Sequence, residues 1–304
     1  MDELADARPM PSALLEVGFH DSEADAALLR QPLFRRDVSR AIVRGVIASV
    51  SPFARPVPPA PGWLSVRNLG GGRLHVAWEP GFDPLAPVQE DWTYRLHVGT
   101  ESTAVDGGLE LPGCCEATVD GFSPGDVVVL RLSARNGSGS SLLSGAASVV
   151  VGDPPALALL VDGFDRLDEE VDETVNTGDS AFAHAGALRL ATGASSAADF
   201  ATHDEAPVIL SRQDYPLVDW WTGLSGPGSP CVDEVQARAM MDHLAYGEAL
   251  LVSGQDLASC MADGGPLARQ LVTQWLGARP REDARCEDRI ELACCDVLLA
   301  LGPE

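Results

Sequence analysis

The chain has 304 residues, of which 45% are hydrophobic, and a formal net charge of −24. This length allows two or three domains with sizeable cores, while the acidic excess argues against binding to nucleic acid or to an anionic membrane surface. No stretch reaches the roughly 18 consecutive apolar residues that a membrane span needs. The opening MDELADARPMPS lacks the apolar segment of a signal peptide.

The first candidate for chemistry is a carboxylate in an apolar run. The stretch ALLEVGF (residues 13–19) predicts a buried strand interrupted only by Glu16. A glutamate in such a strand needs a partner or a position at the strand end, where α/β enzymes place reactive groups. The following DSEADAALL predicts a helix start capped by Asp21 or Ser22. Apolar residues spaced by four, up to Val46, predict one long amphipathic helix that packs on a sheet.

The next two segments are predicted to be a linker and an all-β domain. Residues 51–62, SPFARPVPPAPG, predict a proline-rich linker. Within residues 63–152, RLHVAWEP, TYRLHVGT, DVVVLRLSAR and AASVVVG alternate apolar and polar residues between turn-rich segments. This pattern predicts a β-sandwich with Trp78 and Tyr94 in its core. With GFSPGDVVVLRLSARNGSGSS, the segment resembles a fibronectin type III module, although Val128 stands where that family usually has a tyrosine.

Residues 156–304 are predicted to form an α/β domain. ALALLVDGF, LVDWW and EALLVSG read as strands, and DEVQARAMMDHLAYG and PLARQLVTQWLGA read as helices. This alternation predicts a mostly parallel sheet. The order of elements resembles class I glutamine-amidotransferase-like domains, which implies a flavodoxin-like layout. Their catalysis needs a cysteine at a strand-to-helix elbow, but in LLVSGQDLASCM Gln255 follows Gly254 and the nearest thiol is Cys260. The domain is therefore predicted to lack a nucleophile.

Three other features each leave two interpretations open. The seven cysteines either form disulfides in an exported protein or serve as small buried side chains. The acidic segment 162–179 lacks the spacing of a calcium loop and is either a solvated loop or a weak calcium site. The pair Trp220–Trp221 either belongs partly to the core or forms an aromatic platform for a sugar.

The opening segment resembles the closing part of the zinc-dependent N-acetylmuramoyl-L-alanine amidases of the bacterial cell wall. The resemblance implies that Glu16 is the catalytic residue, acting on zinc-bound water, that peptidoglycan is the partner, and that the protein works in the cell envelope or outside the cell. Val17 departs from the family's usual threonine. The matching positions are Glu16, Gly18, Phe19, Asp25, Leu28, Leu29, Phe34, Ala41, Ile42 and Gly45.

The family's zinc ligands, two histidines and a glutamate, lie upstream of this segment and find no match here. Residues 1–50 are thus expected to be the C-terminal fragment of an amidase-like α/β domain, which is inactive and binds no zinc in this chain alone. Two hypotheses follow for this multidomain chain. It is either the C-terminal portion of a peptidoglycan amidase with accessory domains, or a non-catalytic binding or scaffold protein of the cell envelope.

Overall fold

The structure is a computed structural model that describes residues 13–51, 55–83, 91–100, 104–168, 171, 179–193, 196–225, 230–278 and 295–302. These residues fall into two compact units. The first contains residues 13–51, 167, 168 and 171, and the second contains the other described residues, including all the described strands. No helix among the described residues is both long and apolar enough to cross a membrane.

The first unit consists of an irregular segment and two helices. Ser22 caps α1 (Glu23–Arg30) by accepting a hydrogen bond from the Asp25 main-chain N–H, as the sequence predicts. The prediction of a single long helix is wrong, because Gln31 interrupts the helix and α2 (Pro32–Val50) begins at a proline. Proline fits the first turn of a helix but cannot continue a preceding one.

The predicted buried strand at residues 13–19 is also wrong. This segment is irregular, and Leu14, Leu15, Val17 and Phe19 are exposed. An apolar run becomes a strand only when a neighbouring strand satisfies its main-chain groups. None of the described strands pairs with this segment, so the apolar pattern is present without the neighbouring strand that it needs.

The second unit begins with a β-sandwich, as predicted. One layer has the order β5-β2-β1, and the other has the order β4-β3-β6-β8, with β7 pairing only with β6. Trp78 on β2 is 1% exposed and packs against Tyr94 on β3 with ring centroids 5.4 Å apart. The strands are β1 (Gly62–Gly70), β2 (Arg73–Glu79), β3 (Thr93–Gly99), β4 (Leu109–Leu111), β5 (Glu116–Val119), β6 (Val127–Asn136), β7 (Gly139–Ser140) and β8 (Ala147–Val150).

The rest of the unit is a mixed sheet with helices on both faces. Four strands are parallel in the order β10-β9-β11-β12, and β13 closes the edge antiparallel to β12. A π-helical turn (Leu271–Trp275) follows α7. The elements are β9 (Ala158–Asp162), α3 (Ser180–Thr192), β10 (Ala198–Thr202), α4 (Ala206–Leu210), β11 (Leu217–Trp221), α5 (Glu234–Ala245), β12 (Ala249–Gln255), α6 (Leu257–Ala262), α7 (Pro266–Gln270) and β13 (Cys295–Leu301).

The sandwich and the mixed sheet are joined through β10. This strand pairs with β1 at Ser65–Ala201 and with β8 at Ala198–Val150, so it meets the edges of both sandwich layers. The sandwich core therefore continues under α3 onto one face of the sheet, while α4, α5, α6 and α7 cover the other face. The helix α3 is also tied to the sandwich, because Arg189 donates to the Gly125 carbonyl oxygen at 2.8 Å.

Candidate functional site

The carboxyl ends of the parallel strands define the place to look for a site. From β9 the chain crosses to β10 on one side and then to β11 on the other, so the order reverses between β9 and β11. In open α/β sheets, ligands bind in the crevice outside this reversal point. Asp162 at the end of β9 lies level with Trp221 on β11 and with Thr202 on β10.

A histidine–aspartate pair lies on the α3 side of the sheet. The Nδ1 atom of His184 on α3 is 2.8 Å from the Asp219 Oδ2 atom on β11. The His184 ring stacks on Trp221 with centroids 4.4 Å apart and an interplanar angle of 22°. The side chain of Asp219 is 8% exposed and that of His184 is 23% exposed. A carboxylate accepts, so Nδ1–H donates to Asp219, and the pair orients the imidazole and leaves Nε2 for another partner.

Asp162 supplies a second ionisable group next to this pair. Burial raises its pKa to about 6, against a smaller lowering by the hydrogen bond that the Phe164 N–H donates to it at 3.0 Å. Positive charge on His203 or His184 also lowers this pKa, as does the nearby indole of Trp221. That indole N–H nevertheless falls outside hydrogen-bond geometry with any described residue. Asp162 can therefore exchange a proton near neutral pH.

His203 closes the cluster from the end of β10. Its main-chain N–H and its Nδ1 atom contact the Asp162 carbonyl oxygen at 3.0 and 3.2 Å. Because a carbonyl only accepts, Nδ1 carries the hydrogen, and Nε2 faces the carboxylates of Asp165 at 3.6 Å and Asp204 at 3.4 Å. The cluster thus joins two imidazoles with carboxylates of different burial.

Glycines let the loops at this edge pack closely. A Cβ on Gly163 would meet the indole of Trp220 and, at 2.9 Å, the carbonyl oxygen of Trp221. Gly223 has a φ of +56°, and a Cβ there would meet the Phe164 ring. The loops that follow β9 and β11 are therefore fixed against each other, so that the ionisable groups keep their positions.

One residue of this edge has a strained main chain. Asp256, between β12 and α6, is the only described non-glycine residue with positive φ, at 48°. This conformation is typical of a strand-to-helix elbow, and the sequence predicts the elbow at this place. The nearest thiol cannot serve as its nucleophile, because Cys260 is fully buried and forms a disulfide with Cys231. For this pair, the disulfide interpretation of the cysteines is the one that holds.

The predicted catalytic residue lies apart from this cluster along the chain. Glu16 is an exposed residue of the irregular segment in the first unit. Within the described residues, no group of three or more His, Cys, Asp or Glu side chains is placed to hold a metal ion. The described residues therefore offer no fitting ligand set for the zinc of the amidase family.

Of the two remaining open interpretations, the structure decides that of the tryptophan pair, while that of the acidic segment lies mostly outside the described residues. Trp220 and Trp221 are 0% and 2% exposed, so they belong to the core and offer no platform for a sugar. Much of the acidic segment 162–179 lies outside the described residues. The pair of Asp219 and His184 was not predicted from the sequence. Its signal was the one that singled out Glu16, namely a lone carboxylate in an apolar strand.

Comparisons with known proteins find similarity to solved structures only. No protein-family model and no curated protein matches the chain. The sixth fibronectin type III domain of human fibronectin type III domain containing protein 3 is 20% identical over 35% of this chain and 96% of its own, with a TM-score of 0.28. Another fibronectin type III domain of human fibronectin type III domain containing protein 3 is 19% identical over 34% of this chain and 94% of its own, with a TM-score of 0.27.

A further human fibronectin type III domain, the fourth of its protein, is 18% identical over 34% of this chain and 87% of its own, with a TM-score of 0.28. Fibronectin type III-like folds thus match about a third of the chain. At these TM-scores the likeness carries no argument of its own, and the sandwich rests on its strand pairing.

Proposed function

We propose that the chain is a non-catalytic binding protein of the bacterial cell envelope and that its ligand, peptidoglycan, contacts the carboxyl edge of the parallel strands. The single observation that supports this site is the cluster of Asp162, His184 and His203 at the reversal point of the sheet. The strand order β10-β9-β11-β12 supports a flavodoxin-like layout, in which ligands bind at this edge. Partly exposed imidazoles and carboxylates can exchange hydrogen bonds with the hydroxyl, amide and charged groups of a glycopeptide.

The direct test is co-sedimentation of the full chain with insoluble peptidoglycan. The wild-type chain is expected to pellet with the polymer, and His184→Gln is expected to weaken this binding about tenfold, through loss of one oriented hydrogen-bonding group. His75→Gln is a matched control, because His75 also faces a carboxylate, that of Glu116 at 3.5 Å, but lies on the sandwich. Absence of binding, or equal loss in both variants, contradicts the proposal.

The second candidate is the C-terminal portion of an N-acetylmuramoyl-L-alanine amidase. It is supported by the match around Glu16 and by the capped helix that follows it at Ser22. Because the resemblance implies that this chain alone is inactive, the test joins it to an upstream segment that supplies the family's two histidines and glutamate. With zinc and purified peptidoglycan, the joined protein is expected to release stem peptides, and Glu16→Gln is expected to abolish the release. Glu23→Gln, in the first turn of α1, serves as the control. Absence of release by the joined protein leaves the binding function as the better account.

A further inference from the structure

A cleft in the second unit lies between α4 and α5, near the start of β11 and β12. It has a volume of about 520 Å³, within the range of roughly 300–1,000 Å³ that is typical of small-molecule sites. Apolar side chains of the two helices, including Leu210 and Val235, line part of it. Its size suits a small molecule better than a folded partner.

Charges of both signs surround this cleft. Arg212 and Arg238 line it and are exposed, and neither guanidinium has an ion pair or hydrogen bond with the described part of the chain. The exposed carboxylates of Asp214 and Asp242 line the same cleft. Arg238 and Asp242 are one helical turn apart on α5, yet they form no ion pair. Glu248 also lines the cleft and is partly buried. Two cations and three anions therefore remain available to a ligand.

His243 adds a neutral acceptor to the lining. Its Nε2 atom is 2.8 Å from the Ala249 carbonyl oxygen, which can only accept, so Nε2 carries the hydrogen. Burial lowers the pKa of His243, which keeps the ring neutral. Nδ1 is then an unprotonated acceptor with no partner among the described residues. An N–H group of a ligand would satisfy it.

The charged side chains of the cleft determine which charges a ligand can carry. An anion alone would meet Asp214 and Asp242, and the whole chain, at −24, would repel it further. A cation alone would meet two unpaired arginines. A molecule that carries both charges a few bonds apart satisfies both sets, because charge-assisted hydrogen bonds to guanidinium and to carboxylate are the strong ones.

We propose that the cleft between α4 and α5 binds a small zwitterion, such as an amino acid or an unblocked dipeptide. Its carboxylate contacts Arg212 and Arg238. Its ammonium group contacts the carboxylates of Asp214 and Asp242. This inference does not rest on the ligand proposed for the carboxyl edge, which lies at the opposite ends of the same strands.

The test uses the full chain and four forms of one dipeptide, followed by the shifts of main-chain amide NMR signals. The forms are alanyl-alanine, its N-acetyl derivative, its C-terminal amide and the doubly blocked compound. Alanyl-alanine is expected to bind most tightly, and blocking either end is expected to weaken binding about tenfold. Shifts are expected at residues of α4 and α5.

Two charge-removing variants assign the ends of the ligand. Arg238→Gln is expected to weaken binding of alanyl-alanine and of the N-acetyl acid but not of the amide. Asp242→Asn is expected to weaken binding of alanyl-alanine and of the amide but not of the N-acetyl acid. Arg135→Gln, at an exposed arginine on β6, should change nothing. Equal binding of the zwitterionic and doubly blocked forms, no shifts at the cleft with any form, or indifference to Arg238→Gln would overturn the proposal.

Discussion

Two polar clusters lie on the same sheet, around Asp199 on β10 and Asp219 on β11, with β9 between these strands. They differ in how fully their hydrogen bonds are satisfied. At the joint with the sandwich, Asp199 Oδ1 accepts from the main-chain and side-chain N–H groups of Asn68 at 2.8 and 2.9 Å. Its Oδ2 accepts from the Tyr215 hydroxyl at 2.9 Å. At the carboxyl edge, Asp219 uses Oδ2 for His184, while Oδ1 is buried without a partner in the described part of the chain.

The difference separates a structural role from a functional one. A fully satisfied buried network fixes one arrangement of the chain, and a partly satisfied one retains capacity for another partner. The joint around Asn68 accordingly holds β1, β8 and β10 together, since the Asn68 amide also contacts the carbonyl oxygens of Val150 and Ala198 at 3.1 Å. The carboxyl edge keeps an unused oxygen and partly exposed imidazoles.

The largest expected effect comes from breaking the joint. Asn68→Ala removes one of the three hydrogen bonds that Asp199 accepts, together with the side-chain partner of the Gly152 N–H and of the Val150 and Ala198 carbonyl oxygens. It should lower the free energy of unfolding by about 3–5 kcal/mol, because several buried polar groups lose a partner at once. Urea denaturation of the full chain measures the change.

Asn136→Ala is the matched control for this prediction. Asn136 is also buried, but among the described residues its side chain bonds only to the Pro56 carbonyl oxygen at 2.7 Å and the Ser138 N–H at 2.9 Å, away from the joint. Asn136→Ala should lower the free energy of unfolding by about 1–2 kcal/mol. If both variants lose the same stability, the joint has no special role.

Sequence patterns predict individual helices and strands, but they do not predict the joint between the sandwich and the mixed sheet. Trp78, Tyr94 and three strands of the mixed sheet, β9, β11 and β12, were predictable because alternation and apolar runs are local signals. The strands β10 and β13 were not predicted. The contact between Asn68 and Asp199 spans 131 residues, and nothing near either residue indicates it. Residues 13–19 show the converse, since their local signal for a strand is strong but a strand also needs a neighbour. The same limit hid the pair of His184 and Asp219, which α3 brings together.

An intermediate effect is expected at Asp162, in the pH dependence of folding. Its pKa is raised from 3.8 to about 6, so between these values the folded chain holds the proton more tightly than the unfolded chain. The contribution of this group to stability therefore falls as the pH rises from about 4 to about 6, and the ionised form costs on the order of 2 kcal/mol at neutral pH after allowance for partial exposure.

Asp162→Asn should remove this cost while keeping an acceptor for the Phe164 N–H. The variant is expected to be more stable than the wild-type chain at pH 7, and the difference should shrink as the pH is lowered towards 5. Urea denaturation of both proteins over this range measures it. A difference that is independent of pH would show that the raised pKa does not contribute to folding.

The smallest effect on stability, and the sharpest test of the functional cluster, is expected for Asp219→Asn. The change should alter the free energy of unfolding by less than about 1 kcal/mol, because one carboxylate oxygen already lacks a partner and the shape is kept. It should nevertheless disturb the His184 ring, because an amide can donate to Nδ1 as well as accept from it, and the single tautomer imposed by the carboxylate is lost. Nitrogen-15 NMR of the imidazoles reports this directly. His243 is an internal control, because its Nε2–H donates to the Ala249 carbonyl oxygen and does not involve Asp219. An unchanged His184 tautomer would mean that the pair is only a packing contact, and the carboxyl edge would then lose the feature that distinguishes it from the joint.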